Sequence, residues 1–174
     1  ESHHARDTIV NRKIKKNLLN FFLILIIFLV DRISKFLIIQ ASNPYGEMSI
    51  NVTSFLNLNL IWNNGIAFGL FSFDQSLHYS ILTIFIFLII LIIIWLMLNS
   101  KGFEQLSFIL IIGGSLGNIF DRFYYSAVPD FIDIHFNNYH WFIFNVADIF
   151  ITLGILFLIS IEIFSSKKQK NENY

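Results

Sequence analysis

Two aspartates, Asp130 and Asp148, are the residues of this sequence best suited to chemistry. They stand in Val128-Pro-Asp-Phe-Ile-Asp-Ile and Phe144-Asn-Val-Ala-Asp-Ile-Phe, the second at the head of a strongly apolar run and the first in the gap before it. A carboxylate beside hydrocarbon is expensive, so an ionisable residue there is a functional candidate by default. Two carboxyl groups held close together can share a proton and activate a water between them. That arrangement can split a peptide bond with neither a metal nor a covalent intermediate. Each aspartate also has a plain structural use: Asp148 as the cap of the helix that follows it, Asp130 after Pro129 as a turn residue, with Asp133 another. Their company argues against that use alone. Asn118, Asp121 and Arg122 end one apolar run, Asn63-Asn-Gly stands in a polar connection, and Asn145 precedes Asp148 by about one turn. Polar groups from four segments thus meet at one membrane level, which isolated caps would not require.

Other candidates carry less. Gly113-Gly-Ser-Leu-Gly offers Ser115 as a nucleophile, but that chemistry needs a base, usually His. His3, His4, His78, His135 and His140 all lie outside the apolar runs or at their edges, so Ser115 reads as a small packing residue. His135 and His140 are not at a persuasive ligand spacing, and nearby Asp133 does not alter that. No metal and no cofactor are expected. The absence of Cys excludes disulfides, thiolate metal sites and a Cys nucleophile.

The elements that must position these residues are membrane spans. Of the 174 residues 55% are apolar and only 14% charged, with 21 Phe, which sets the chain in the membrane class. Zero formal net charge gives no general attraction to nucleic acid. Four spans are expected, at about 18–39, 79–98, 106–122 and 146–164. The first is too long for a cleaved signal peptide and has no Ala-x-Ala cleavage site after it. Residues 1–17 read as a flexible basic lead-in, 18–165 as one membrane domain and 166–174 as a basic tail. The segment 40–78 contains a turn signal at Asn43-Pro-Tyr-Gly and near period-two alternation from Ile50 to Trp62, which predicts short strands on the membrane surface. Gly113, Gly114 and Gly117 allow close helix approach. Basic residues cluster before span one, at Lys101 and after span four, while the other two connections hold no Lys or Arg. Both termini are therefore expected in the cytoplasm and both aspartates at the outer face. The rival reading is a small proton- or cation-coupled transporter subunit, but a relay would spread ionisable residues through the membrane depth, and spans two to four lack them at mid-depth.

Five motifs in order and in register make the chain resemble the bacterial lipoprotein signal peptidases (signal peptidase II), from Asp31 to about Gly154. They are Asp31-Arg-Ile-Ser-Lys35, Asn63-Asn-Gly-Ile-Ala-Phe-Gly, Gly113-Gly-Ser-Leu-Gly-Asn-Ile-Phe-Asp-Arg122, Val128-Pro-Asp-Phe-Ile-Asp and Phe144-Asn-Val-Ala-Asp148. Arg32 stands where that family commonly has Gln, and Asn64 where Thr is frequent. The resemblance implies an all-α polytopic membrane protein of four transmembrane helices, with a small outer β-cradle and a loop over the site. It implies an aspartyl endopeptidase that cuts diacylglyceryl-modified prolipoproteins just before the lipidated cysteine, at the outer face of the cytoplasmic membrane. Asp130 and Asp148 would be its catalytic dyad. Asn63, Gly65, Asn118 and Arg122 would bind substrate, Asn145 would orient the dyad, and Asp31, Lys35 and Asp121 would support the structure. Partners would be prolipoproteins and membrane lipids, with no nucleic acid, and the protein would act as a monomer.

Overall fold

An apolar run in hydrocarbon must satisfy its own backbone, so it becomes a helix wherever it is long enough. The computed structural model of the protein describes residues 2–43, 46, 48–65, 76–136 and 139–172. In chain order its elements are α1 (Ser2–Ala41), β1 (Ser49–Asn51), β2 (Leu56–Asn63), α2 (Ser76–Asn99), α3 (Gly102–Tyr125), β3 (Val128–Phe136), β4 (Tyr139–Phe144) and α4 (Val146–Glu172). The chain is mostly helical, with one small antiparallel sheet. Among the described residues three helices are long and apolar enough to cross a membrane: Tyr79–Asn99, Gly102–Tyr125 and Val146–Ser165. Helix α1 begins at Ser2, so the backbone of the basic lead-in continues the first apolar run instead of standing apart from it.

Helix α3 is the centre of the bundle. Most of its membrane-length stretch is buried, whereas α2 and α4 leave most of theirs facing outward. Its small residues are what let neighbours approach. A Cβ on Gly113 would lie 2.7 Å from the Ile27 side chain, and one on Gly114 would lie 2.5 Å from the Ala147 carbonyl oxygen. On Gly117 it would run into the Asp31 carboxylate, and on Gly154 of α4 it would meet the Ser107 carbonyl oxygen at 2.6 Å. Around these contacts Ile27, Met97, Phe108, Ile109 and Ile112 form one apolar core. A second core, Ile38, Leu60 and Phe131, joins the end of α1 to the sheet.

The sheet has the order β1-β2-β3-β4, with each neighbouring pair antiparallel. Strands β1 and β2 fall where the alternation predicts them. Strands β3 and β4 come instead from the gap between the last two apolar runs, where turn residues were expected. The first four residues of β3 are all buried and include Pro129, so the in-out alternation that marks a strand is missing and Pro argues against one. Ser126, with φ 56°, ends α3 in the left-handed region and turns the chain into β3 two residues later. A bulge in β2 between Leu58 and Ile61 resets the register so that Ile61 faces Asp130 and Asn63 faces Val128. Pro44 and Tyr45 of the expected turn, and residues 66–75, which hold the end of the Asn63 motif and part of the expected outer segment 40–78, lie outside the described residues.

Candidate active site

Helix α4 opens with a reciprocal cap. Asn145 Oδ1 accepts the Asp148 N–H at 3.1 Å, while Asp148 Oδ2 accepts the Asn145 N–H at 3.2 Å. This is the geometry of a capping box, with Asn and Asp in the two places. The same Asn145 side chain donates through Nδ2 to Asp130 Oδ1 at 2.6 Å. One residue therefore holds both carboxylates, Asp148 through its backbone and Asp130 through its amide. Each aspartate has a second amide donor: Asn63 Nδ2 reaches Asp130 Oδ2 at 2.9 Å, and Asn118 Nδ2 reaches Asp148 Oδ1 at 2.8 Å. The bulge and register of β2 on β3 bring Asn63 to Asp130; α3 carries Asn118 to Asp148.

A buried ionic layer fixes Asn118 in turn. The Lys35 ammonium has three donors, and it spends them on Asp31 Oδ2 at 2.9 Å, Asn118 Oδ1 at 2.8 Å and Asp121 Oδ2 at 2.6 Å. With its oxygen on Lys35, the Asn118 amide must turn its NH₂ toward Asp148. Asp31 Oδ1 also accepts the Ala147 N–H at 3.0 Å, so the first turn of α4 is capped from both Asn145 and α1. Arg122 extends the frame to the outer segment: Nη1 donates to the Asn118 carbonyl at 3.0 Å and Nη2 to the Gly65 carbonyl at 2.8 Å. The Gly65 N–H returns to Asn63 Oδ1 at 2.8 Å. All ten residues singled out from the sequence are buried in this one network.

Two features escaped the sequence reading. Arg32, set aside as a family departure, pairs with Asp121 Oδ1 at 2.6 Å and Asp31 Oδ2 at 3.0 Å, and lies 4.9 Å above the Phe120 ring. Arg32 and Lys35 thus balance the charges of Asp31 and Asp121. The i, i+1 spacing of Asp31 and Arg32 gave no hint, because α3 supplies the second acid. The other feature is a juxtaposition that spacing along the chain does not reveal. His135 and His140 look poorly spaced for a shared ligand, yet antiparallel pairing of β3 with β4 sets them directly opposite each other, and ligand atoms of Asp133, His135 and His140 lie within 4.8 Å of one another.

Only 3% of Asp130 and 4% of Asp148 is exposed. The Asp130 carboxyl is pushed up to about 7, first by burial and then by the neighbouring Asp148 charge, while hydrogen bonds from Asn63 and Asn145 hold it down. Near neutral pH the pair therefore has a proton to share. An apolar groove of about 220 Å³, lined by Phe142, Phe144, Ile149, Thr152 and Leu153, opens beside Asp148. Acid, base and amide donors at one end of the bundle suit hydrolysis of an amide bond that arrives from an apolar phase. They do not suit a relay through the membrane.

Known proteins agree with that chemistry. The family described as Signal peptidase (SPase) II matches residues 23–164. The lipoprotein signal peptidase of Pelagibacter ubique is 51% identical over 162 residues, covering 91% of this chain and 98% of that one. The corresponding protein of Francisella tularensis subsp. novicida is 41% identical over 154 residues, covering 85% and 93%. A solved structure described as a bacterial membrane enzyme aligns with TM-score 0.72 at 27% identity, over 86% of this chain and 90% of that one.

Proposed function

The chain belongs to the signal peptidase II family of peptidases, and from that we propose that it removes signal peptides from diacylglyceryl-modified prolipoproteins by aspartyl catalysis, with Asp130 and Asp148 as the dyad. The observation that carries the assignment is the double hold of Asn145 on both carboxylates. In this mechanism the ionised member of the pair takes a proton from the attacking water. The protonated member donates to the scissile carbonyl oxygen, and the two titrate jointly. Asn63, Asn118, Gly65 and Arg122 stand where an extended substrate backbone could exchange hydrogen bonds with the frame. The groove beside Asp148 would take apolar substrate.

The membrane reading adds α1 as a fourth span. Its support is the row of exposed apolar residues that includes Leu18, Phe21, Phe22, Ile26, Leu29 and Ile33, a face suited to lipid. Residues 18–165 form one peptidase domain with both ends in the cytoplasm, where basic residues cluster. The sheet and the dyad then lie at the outer face of the cytoplasmic membrane, and the enzyme works as a monomer among lipids.

The test is a gel-shift assay of purified protein in detergent with a prolipoprotein, with and without its diacylglyceryl group. Cleavage confined to the lipidated form and abolished in both Asp130→Asn and Asp148→Asn is expected, with substrate binding retained. Near-normal turnover by either variant removes that residue from the dyad, and equal cutting of the unlipidated form removes the proposed specificity.

A further inference from the structure

A second cluster of chemistry-bearing side chains lies on the sheet, apart from the dyad. Asp133 and His135 are two residues apart on β3, and His140 is the cross-strand partner of His135 on β4. Residues two apart on a strand share a face, and directly opposed residues bring their side chains together. The His140 Nδ1 lies 2.8 Å from Asp133 Oδ2 and 3.0 Å from Oδ1, and the two imidazoles stack at 5.4 Å with 28° between their planes. We propose that Asp133, His135 and His140 form a site for a d-block divalent cation such as Zn²⁺.

Three observations make this more than a histidine paired to an acid. Asp133 is fully buried, and a buried carboxylate needs a cationic or donor partner on each oxygen. Asn59 Nδ2 already holds Asp133 Oδ2 at 2.6 Å, the outer hydrogen bond that orients a ligating carboxylate. The Nδ1 atom of His135 is buried and has no hydrogen-bond partner among the described residues, although the histidine stands against an acid and a second imidazole. The donor set is two imidazoles and one carboxylate. It favours Zn²⁺, Ni²⁺ or Cu²⁺ over Mg²⁺ and Ca²⁺, which take oxygen ligands, and it leaves a coordination position for water. Asp133 is three residues from Asp130 on β3, an odd spacing that sends alternating side chains to opposite faces. The cation would not join the hydrolysis. It would clamp β3 to β4, the hairpin that carries Asp130 and leads directly into Asn145.

The experiment uses full-length protein in detergent, stripped of metal, free of any affinity tag and carrying His3→Ala and His4→Ala to remove the other paired histidines. Zn²⁺ is titrated against a chromophoric chelator. One equivalent is expected to bind at micromolar concentration or tighter. His135→Gln and His140→Gln should each weaken it by roughly tenfold or more, at least what loss of a partner that merely orients a ligand costs in other metal sites, while millimolar Mg²⁺ fails to compete. His140 is exposed, so that variant should keep its circular dichroism and its cleavage activity, which separates lost binding from lost folding. Zn²⁺ uptake by the double variant His135→Gln/His140→Gln equal to that of the parent would overturn the proposal, as would no saturable uptake by the parent.

Discussion

Asn145 does what neither aspartate can do for itself, because a carboxylate on a strand and another on a helix have no common backbone to set their separation. Truncating it in Asn145→Ala removes a donor from Asp130 and the side-chain cap from the Asp148 N–H. A fall in kcat of about 10²-fold with little change in KM is expected, the usual cost of misplaced reacting groups; turnover within twofold of the parent would show that the dyad keeps its geometry without it. The raised Asp130 carboxyl makes two further predictions. Because it titrates near 7 in the folded protein and near about 4 when unfolded, the folded state holds a proton that the unfolded state has lost. Stability should therefore fall as pH rises from about 4 to about 7 and level off above that. Asp130→Asn should flatten that slope, unfolding at a higher temperature than the parent at pH 8 and at a similar temperature near pH 4. The alkaline limb of kcat/KM should lie near pH 7, and Asn63→Ala, which removes a donor that favours the charged form, should move it upward. A downward move would show that Asn63 acts elsewhere.

At the level of elements, the site depends on how closely α1 and α4 approach α3. Lys35 ties α1 to α3 through Asp121 and Asn118 and also pairs, at 2.9 Å, with a second acid, Asp31, on its own helix. Lys35→Met leaves two buried acids with Arg32 alone, and removing one partner of a buried ionic cluster costs roughly 3–5 kcal/mol. A lower melting temperature in detergent with loss of activity is expected. Lys35→Arg should not rescue it, since a planar guanidinium cannot direct its donors to three acceptors around one point. Unchanged melting of Lys35→Met would mean that the cluster is not what joins the helices. Gly117 tests the same approach from the other side. A methyl there meets the Asp31 carboxylate, whose oxygens hold Lys35 and the start of α4. Gly117→Ala should lower stability by about 1–3 kcal/mol, the range for overpacking a close contact, and reduce cleavage with it.

For the whole molecule the prediction concerns which way it crosses the membrane. The chain has no Cys, so single cysteines can report orientation without background. With both ends in the cytoplasm, Thr53→Cys before β2 should react with a membrane-impermeant maleimide in intact cells, and Lys101→Cys between α2 and α3 only after permeabilisation. The opposite pattern would invert the protein and place the dyad in the cytoplasm.

The sequence alone determined the apolar helices and strands β1 and β2, because hydrophobic run length and period-two alternation are local properties; the ten candidate site residues were named from polar groups beside hydrocarbon and from the family motifs. Asp31 and Lys35 could even be paired from their spacing on one helix. Only the tertiary structure decided which group holds which. That Lys35 reaches Asn118 and Asp121, that Asn145 grips both aspartates, and that Arg32 belongs to the ionic layer all depend on helix approach set by glycine contacts on α3. Strands β3 and β4 were hidden for a related reason: burial of consecutive residues at the start of β3 erases the alternation that a half-exposed strand displays. The cluster of Asp133, His135 and His140 was hidden by cross-strand register. Distance along a chain says nothing about which residues two antiparallel strands will set face to face.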